Sequence, residues 1–257
     1  MANMIPGPLP DSPIECSQLT KSFGPITVLN KIDLKVKAGS ICAIIGPNGA
    51  GKTTLLKILA ALVTPTEGTA RICGEYVTRS PQTVKAHVGY VSSEERSFYW
   101  RLTGMQNLKF FAALHGLGNA EVEERAGFLL DRLGLVKADN KNFREYSTGA
   151  KQALSIVRGL LHNPPVILFD EPTRSLSYDI TQNFYELIRS EADQGKAILF
   201  ASHNFSEVEK MADTIVILHK GYVTAAGTLQ ELRKKAGLPD DAGFEKIFLF
   251  FIGEAFE

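Results

Sequence analysis

Short apolar runs and longer amphipathic stretches take turns along the chain, and the two patterns separate strands from helices. Residues 40–46 (SICAIIG), 88–91, 166–169 and 197–201 are apolar almost throughout, as strands buried on both faces of a parallel sheet must be. Ile32, Leu34 and Val36 instead alternate with charged residues, the period of a half-buried strand. Residues 69–77 are rich in β-formers and broken at Cys73-Gly74, which predicts a tight turn in an antiparallel layer. A last strand pair, 214–218 and 222–226, surrounds Lys220-Gly221.

Elsewhere the period is helical. Residues 52–62 read as a helix that ends before Pro65. Leu108, Phe111, Ala112 and His115 share one face, and residues 122–133 and 153–161 continue in the same style. In the last of these, Ala153, Ile156, Val157, Leu160 and Leu161 form one apolar stripe. The pattern predicts an α/β fold with an N-terminal antiparallel β subdomain and a helical insertion over about 92–163. The main body spans 14–240, between a Pro-rich tail at 1–13 and an apolar tail at 241–257.

Composition narrows the partners. Lys+Arg and Asp+Glu each number 28 in 257 residues, so no overall field recruits nucleic acid, and none is expected as a partner. Cys16, Cys42 and Cys73 form no CxxC pair and read as buried hydrophobes of a reducing compartment. The apolar run at 247–252 is far shorter than the roughly 20 residues of a spanning helix. The N-terminus does not read as a signal peptide.

The chemistry sits at strand ends. Gly46-Pro47-Asn48-Gly49-Ala50-Gly51-Lys52-Thr53, followed by Thr54, matches G-x-x-x-x-G-K-[ST] between a buried strand and a helix. Glycines let backbone N–H groups curl around phosphate oxygens, and the helix points its positive end at the same anion. Lys52 is expected on the β- and γ-phosphates, with the Thr53 hydroxyl on Mg²⁺. The base is left open between adenine and guanine. At 166–173 an apolar strand delivers Asp170 and Glu171 to the sheet edge where ligands collect. Asp170 suits a metal ligand and Glu171 a base for the attacking water. Residues 197–203 repeat the arrangement and end in Ser202-His203, which makes His203 a candidate γ-phosphate contact linked to Glu171.

In this order, the motifs resemble those of the ABC ATPase family, whose core is a P-loop NTPase of the RecA-like kind. Tyr146-Ser147-Thr148-Gly149-Ala150-Lys151-Gln152 is similar to the family's LSGGQ signature, and the likeness runs from about residue 14 to 227. The resemblance implies that Phe23 stacks on adenine. It implies that Ser147, Thr148 and Gly149 complete the nucleotide site of a second ABC ATPase subunit, in a homo- or heterodimer that ATP closes and hydrolysis opens. It further implies a cytoplasmic subunit, peripheral on the inner face of the cell membrane, that powers separate polytopic permease subunits. The YSTG-type signature, residues 94–102 and the 244–252 tail look like those of the exporter-type subunits that serve polysaccharide, lipid and drug export. The alternatives are a degenerate nucleotide-binding partner with weak hydrolysis and a non-transport ABC ATPase.

Two positions depart from the pattern. Ser93 stands where the family has a Gln at Mg²⁺ and the γ-phosphate, and Ser177 where it has an Asp. The triplet Phe98, Tyr99, Trp100 falls where the family receives a permease helix. Docking and core packing are both open for it.

Overall fold

The computed structural model describes residues 9–92, 98–135 and 141–253. Two sheets form. In the first, β1 (Ile14–Phe23), β2 (Ile26–Val36), β4 (Glu67–Ile72) and β5 (Glu75–Tyr76) lie in the order β2-β1-β4-β5, all antiparallel. Cys73 and Gly74, both at positive φ, make the expected turn between β4 and β5. The second sheet has the order β10-β9-β3-β8-β7-β6. It comprises β3 (Ile41–Ile45), β6 (Val88–Ser92), β7 (Val166–Asp170), β8 (Ala197–Ser202), β9 (Thr214–His219) and β10 (Tyr222–Gly227). Its pairs are parallel except β9 with β10.

Every residue of β3, β7 and β8 is buried, because both faces of the second sheet are covered. Ile167, Phe169, Ile198 and Phe200 face one apolar cluster, shared with the helices of the insertion. Val166, Leu168, Leu199 and Ala201 face the other, shared with the first sheet and α1 (Lys52–Leu59). Polar groups on such strands have only the ends to occupy.

Helices α3 (Gly104–Ala113), α4 (Asn119–Arg132), α5 (Thr148–Leu160) and α6 (Tyr178–Asp193) pack into the first cluster. A short α2 (Pro81–His87) leads into β6. The expected stripe on α5 is the buried one, and Ser147 caps the helix by accepting from the Ala150 N–H at 3.2 Å. After β8 come α7 (Phe205–Met211), α8 (Leu229–Lys235) and α9 (Phe244–Ile252). Within the apolar tail, Phe244–Ile252 is thus a helix: Phe244, Ile247 and Phe248 are buried, and Phe205 packs on both phenylalanines. Cys16 and Cys42 are buried free thiols, pushed up by burial to about 12 and about 11. The aromatic triplet divides. Phe98 is core, stacked on Phe143 at 4.4 Å, whereas Tyr99 and Trp100 are half exposed.

His162, just past α5, stacks on His115 with ring centroids 3.9 Å apart. Burial first, then the imidazole of His115, depress His162 to about 3 against an opposing pull from the Val88 backbone, with smaller depressions from Lys196 and Arg125. The ordinary value is about 6.5, so its stability contribution is complete above that pH and drains away as pH falls toward the folded value. Between pH 7 and 5 the loss is about 2 kcal/mol. His162→Phe, which keeps a ring on His115, is expected to flatten the acid-side fall of Tm by several degrees relative to the parent. Calorimetric melts at pH 7, 6 and 5 check this.

Candidate active site

Strand order assembles the site. In the sheet β8 lies between β3 and β7, with Ile45 opposite Ser202 and Asp170 opposite Ala201. The residues after β3, β7 and β8 therefore emerge side by side at one carboxyl edge. There they line a cavity of about 750 Å³ that includes residues 46–54, Asp170, Glu171 and His203.

The loop after β3 needs its glycine at 51. That residue adopts φ 108°, and an added Cβ would lie 2.6 Å from Leu29 Cδ2 and 2.9 Å from the Val28 carbonyl. α1 begins there with no side chain capping it, so its first-turn N–H groups are left for an anion. Lys52 is almost fully buried and turns its ammonium back onto the loop, donating to Gly46 O at 2.6 Å and Pro47 O at 3.1 Å. Burial depresses its pKa, while the carboxylates of Glu171 and Asp170 oppose the shift. Carbonyl oxygens stand here in the positions that phosphate oxygens can take.

Asp170 is buried, and burial raises its pKa against a hydrogen bond from the Thr53 side chain. A hydroxyl and a carboxylate side by side, with no cluster of three acidic, His or Cys ligands among the described residues, suit an ion that draws its other ligands from phosphate and water. Glu171 follows at φ 54°, a left-handed conformation that costs a side-chain-bearing residue about 1–2 kcal/mol. Its N–H continues the ladder to Ala201 O at 3.0 Å. The bend swings its carboxylate to His203, with Oε2 2.7 Å from Nδ1.

Not every expected residue joins. Phe23 is half exposed at the end of β1, with Lys21 Nζ 4.6 Å from its ring centroid, and does not line the cavity. Neither do Ser147, Thr148 and Gly149, which sit at the start of α5. That helix end abuts the loop after Glu171: a Cβ on Gly149 would lie 2.8 Å from Ser175 O, and Gln152 Nε2 donates to Pro172 O at 3.0 Å. Ser93 lies outside the described residues. Val28, Lys57, Tyr90, Ser92 and Arg174 line the cavity without having been singled out in the sequence. Ser92 was findable as the last residue of a buried strand, opposite Asp170. Lys57 lies one helical turn beyond Thr53.

Comparisons with known proteins agree in kind. A family model described as "ABC transporter" matches residues 29–174. The chain is 34% identical over 207 residues to the ABC transporter ATP-binding protein NatA of Bacillus subtilis, covering 80% of this chain and 84% of that one. It is 37% identical over 223 residues to the bacitracin transport ATP-binding protein BcrA of Enterococcus faecalis, covering 86% and 71%. With the daunorubicin/doxorubicin resistance ATP-binding protein DrrA of Streptomyces peucetius it shares 35% over 228 residues, covering 89% and 69%. A solved ATP-binding subunit of an ABC transporter superposes with TM-score 0.86 at 30% identity, over 93% of this chain and 98% of the other. The dimeric post-hydrolysis cassette MJ0796, bound to ADP and Pi, superposes with TM-score 0.77 at 25% identity, over 84% and 98%.

The glycine geometry separates two neighbouring substitutions. Gly49 has φ 79° but open space around its missing Cβ, whereas Gly51 has neither freedom. Gly49→Ala is expected to cost about 1–2 kcal/mol. Gly51→Ala is expected to cost about 3 kcal/mol or more and to abolish nucleotide-dependent stabilisation. Denaturant melts with and without ATP check both.

Proposed function

The chain belongs to the ABC transporter family as an ATP-binding subunit with ATPase activity, and from that premise we propose the role of each residue and the direction of transport. Phosphates lie along residues 46–54, where the first-turn N–H groups of α1 are open to them and the Lys52 ammonium exchanges the Gly46 and Pro47 carbonyls for β- and γ-phosphate oxygens. Thr53 and Asp170 would hold Mg²⁺, and Ser93 is proposed as a further ligand from its place in the sequence alone. Bound magnesium supplies Lewis-acid neutralisation of the phosphate charge. The exposed ring of Phe23 is the platform for adenine.

Glu171 orients the attacking water and accepts its proton, while His203 fixes the carboxylate and reaches the γ-phosphate. The observation that carries hydrolysis is the 2.7 Å contact between Glu171 and His203 on the rim of the cavity that Lys52 lines. It favours a working ATPase over a degenerate partner, despite Ser177 in place of the family's Asp.

Cassettes of this family dimerise and pair with membrane permeases. We assign Ser147, Thr148 and Gly149 to the site of a second cassette. The start of α5 does not line the chain's own cavity, and the similar MJ0796 cassette is dimeric. No helix among the described residues is long and apolar enough to cross a membrane, so a permease at the inner face provides the attachment. A groove of about 240 Å³ where the insertion meets the core, lined by Leu62, Phe111, Leu114 and Arg158 among others, fits a cytoplasmic permease helix, with Tyr99 and Trp100 exposed on the same insertion. Export is the direction we assign, because the relatives are named for bacitracin transport and for daunorubicin/doxorubicin resistance.

Glu171→Gln is expected to keep ATP binding while turnover falls by about two orders of magnitude or more. Unchanged turnover in a clean preparation would remove Glu171 from the role. Lys52→Ala is expected to weaken ATP binding itself, read by titration calorimetry. Copurification with a polytopic membrane protein tests the transport assignment against a non-transport ATPase, and capture of ribosomes instead would overturn it.

A further inference from the structure

Glu207 is a carboxylate where the fold least tolerates one. It lies on α7, four residues after His203, and is 1% exposed. Among the described residues no Lys or Arg pairs with it. Its charge is met by two hydroxyls: Ser202 Oγ donates to Oε2 at 2.5 Å, and Thr173 Oγ1 donates to Oε1 at 2.9 Å. Ser202 Oγ also accepts the Asn204 N–H at 3.0 Å, so its proton is free to point at Glu207. Burial pushes the Glu207 carboxyl up, and the two hydroxyl bonds hold it down. An apolar residue would fill this space without that desolvation cost.

The two hydroxyls belong to different loops. Ser202 precedes His203, and Thr173 follows Glu171 by two residues. Glu207 therefore closes a ring that runs from Glu171 through Thr173, Glu207, Ser202 and His203 back to Glu171. The His203 side chain is 63% exposed, and a polar contact with one partner so open to water contributes little to its own persistence. What can hold imidazole and carboxylate at 2.7 Å is the fixing of both backbones behind them.

We propose that Glu207 is a positioning residue for ATP hydrolysis, which ties the Glu171 loop to the His203 strand end and so holds that pair in register. It does not line the nucleotide cavity. The inference rests on the assignment of Glu171 and His203 as the working pair.

The test is a double-mutant cycle on ATP turnover by the chain, together with its permease where that is required. Glu207→Ala is expected to lower kcat about tenfold with KM for ATP changed less than about twofold. Glu207→Gln can accept one hydroxyl and donate to the other, and is expected to restore kcat to within about threefold of the parent. In a His203→Ala background, Glu207→Ala is expected to change kcat by less than about twofold. Thr173→Val, which cuts one tether and leaves Ser202 bonded, runs the same comparison if Glu207→Ala does not fold. Losses that multiply across the two backgrounds would overturn the positioning role while leaving His203 in place. A His203→Ala single variant with parental turnover would overturn the assignment of the pair and the inference with it. Failure of even Glu207→Gln to fold would make the carboxylate a stability element and equally overturn the proposal.

Discussion

Strands buried on both faces can place charge only at their ends, and the active site follows from that constraint. β3, β7 and β8 carry apolar or small side chains into two separate clusters. Their parallel registry brings three carboxyl ends to one line. Lysine, carboxylates and imidazole collect there because the apolar clusters on both faces leave these strands only their ends for charge. The cavity is the shared exit of three strands, and its chemistry is fixed by what stands at or beyond each end: Asp170 closing β7, Glu171 and His203 one place past β7 and β8, and Lys52 seven places past β3.

The segment after Glu171 is the hub of the arrangement. Glu171 itself takes a left-handed bend that its side chain resists. The surrounding structure holds it: Gln152 reaches Pro172, Glu207 reaches Thr173, and Gly149 lies directly against Ser175. The signature helix and the histidine strand end therefore grip one short loop from two sides. A shift at the phosphates that moves Glu171 has a direct mechanical route to the start of α5, the surface assigned to the opposite cassette.

Much of this could be read from the residues. The buried strands declared themselves as apolar runs, and Ser147 as a cap ahead of an amphipathic stripe. The cradle was visible because Gly51, Lys52 and Thr53 have fixed spacing. Other features left no local trace. Nothing in the identity of Glu171 announces a positive φ, which is imposed by the ladder bond to Ala201 and the turn into Pro172. Glu207 and Arg174 look like surface charges in the sequence, and only the meeting of β7 and β8 shows one to be buried and the other to line the cavity. The apolar tail at 244–252 did carry a helical spacing at Phe244, Ile247 and Phe248, but its hydrophobic density masked the period. Phe23 was placed by resemblance, and it stands outside the cavity lining, on the exposed end of β1.

The central claim is that a triphosphate and its metal ion occupy the edge where β3, β7 and β8 end. Titration calorimetry of the purified chain with ATP, in magnesium and then in excess chelator, tests it most directly. Saturable binding that weakens sharply when magnesium is removed is the expected result. Heat that never saturates, or an affinity indifferent to the metal, would contradict it.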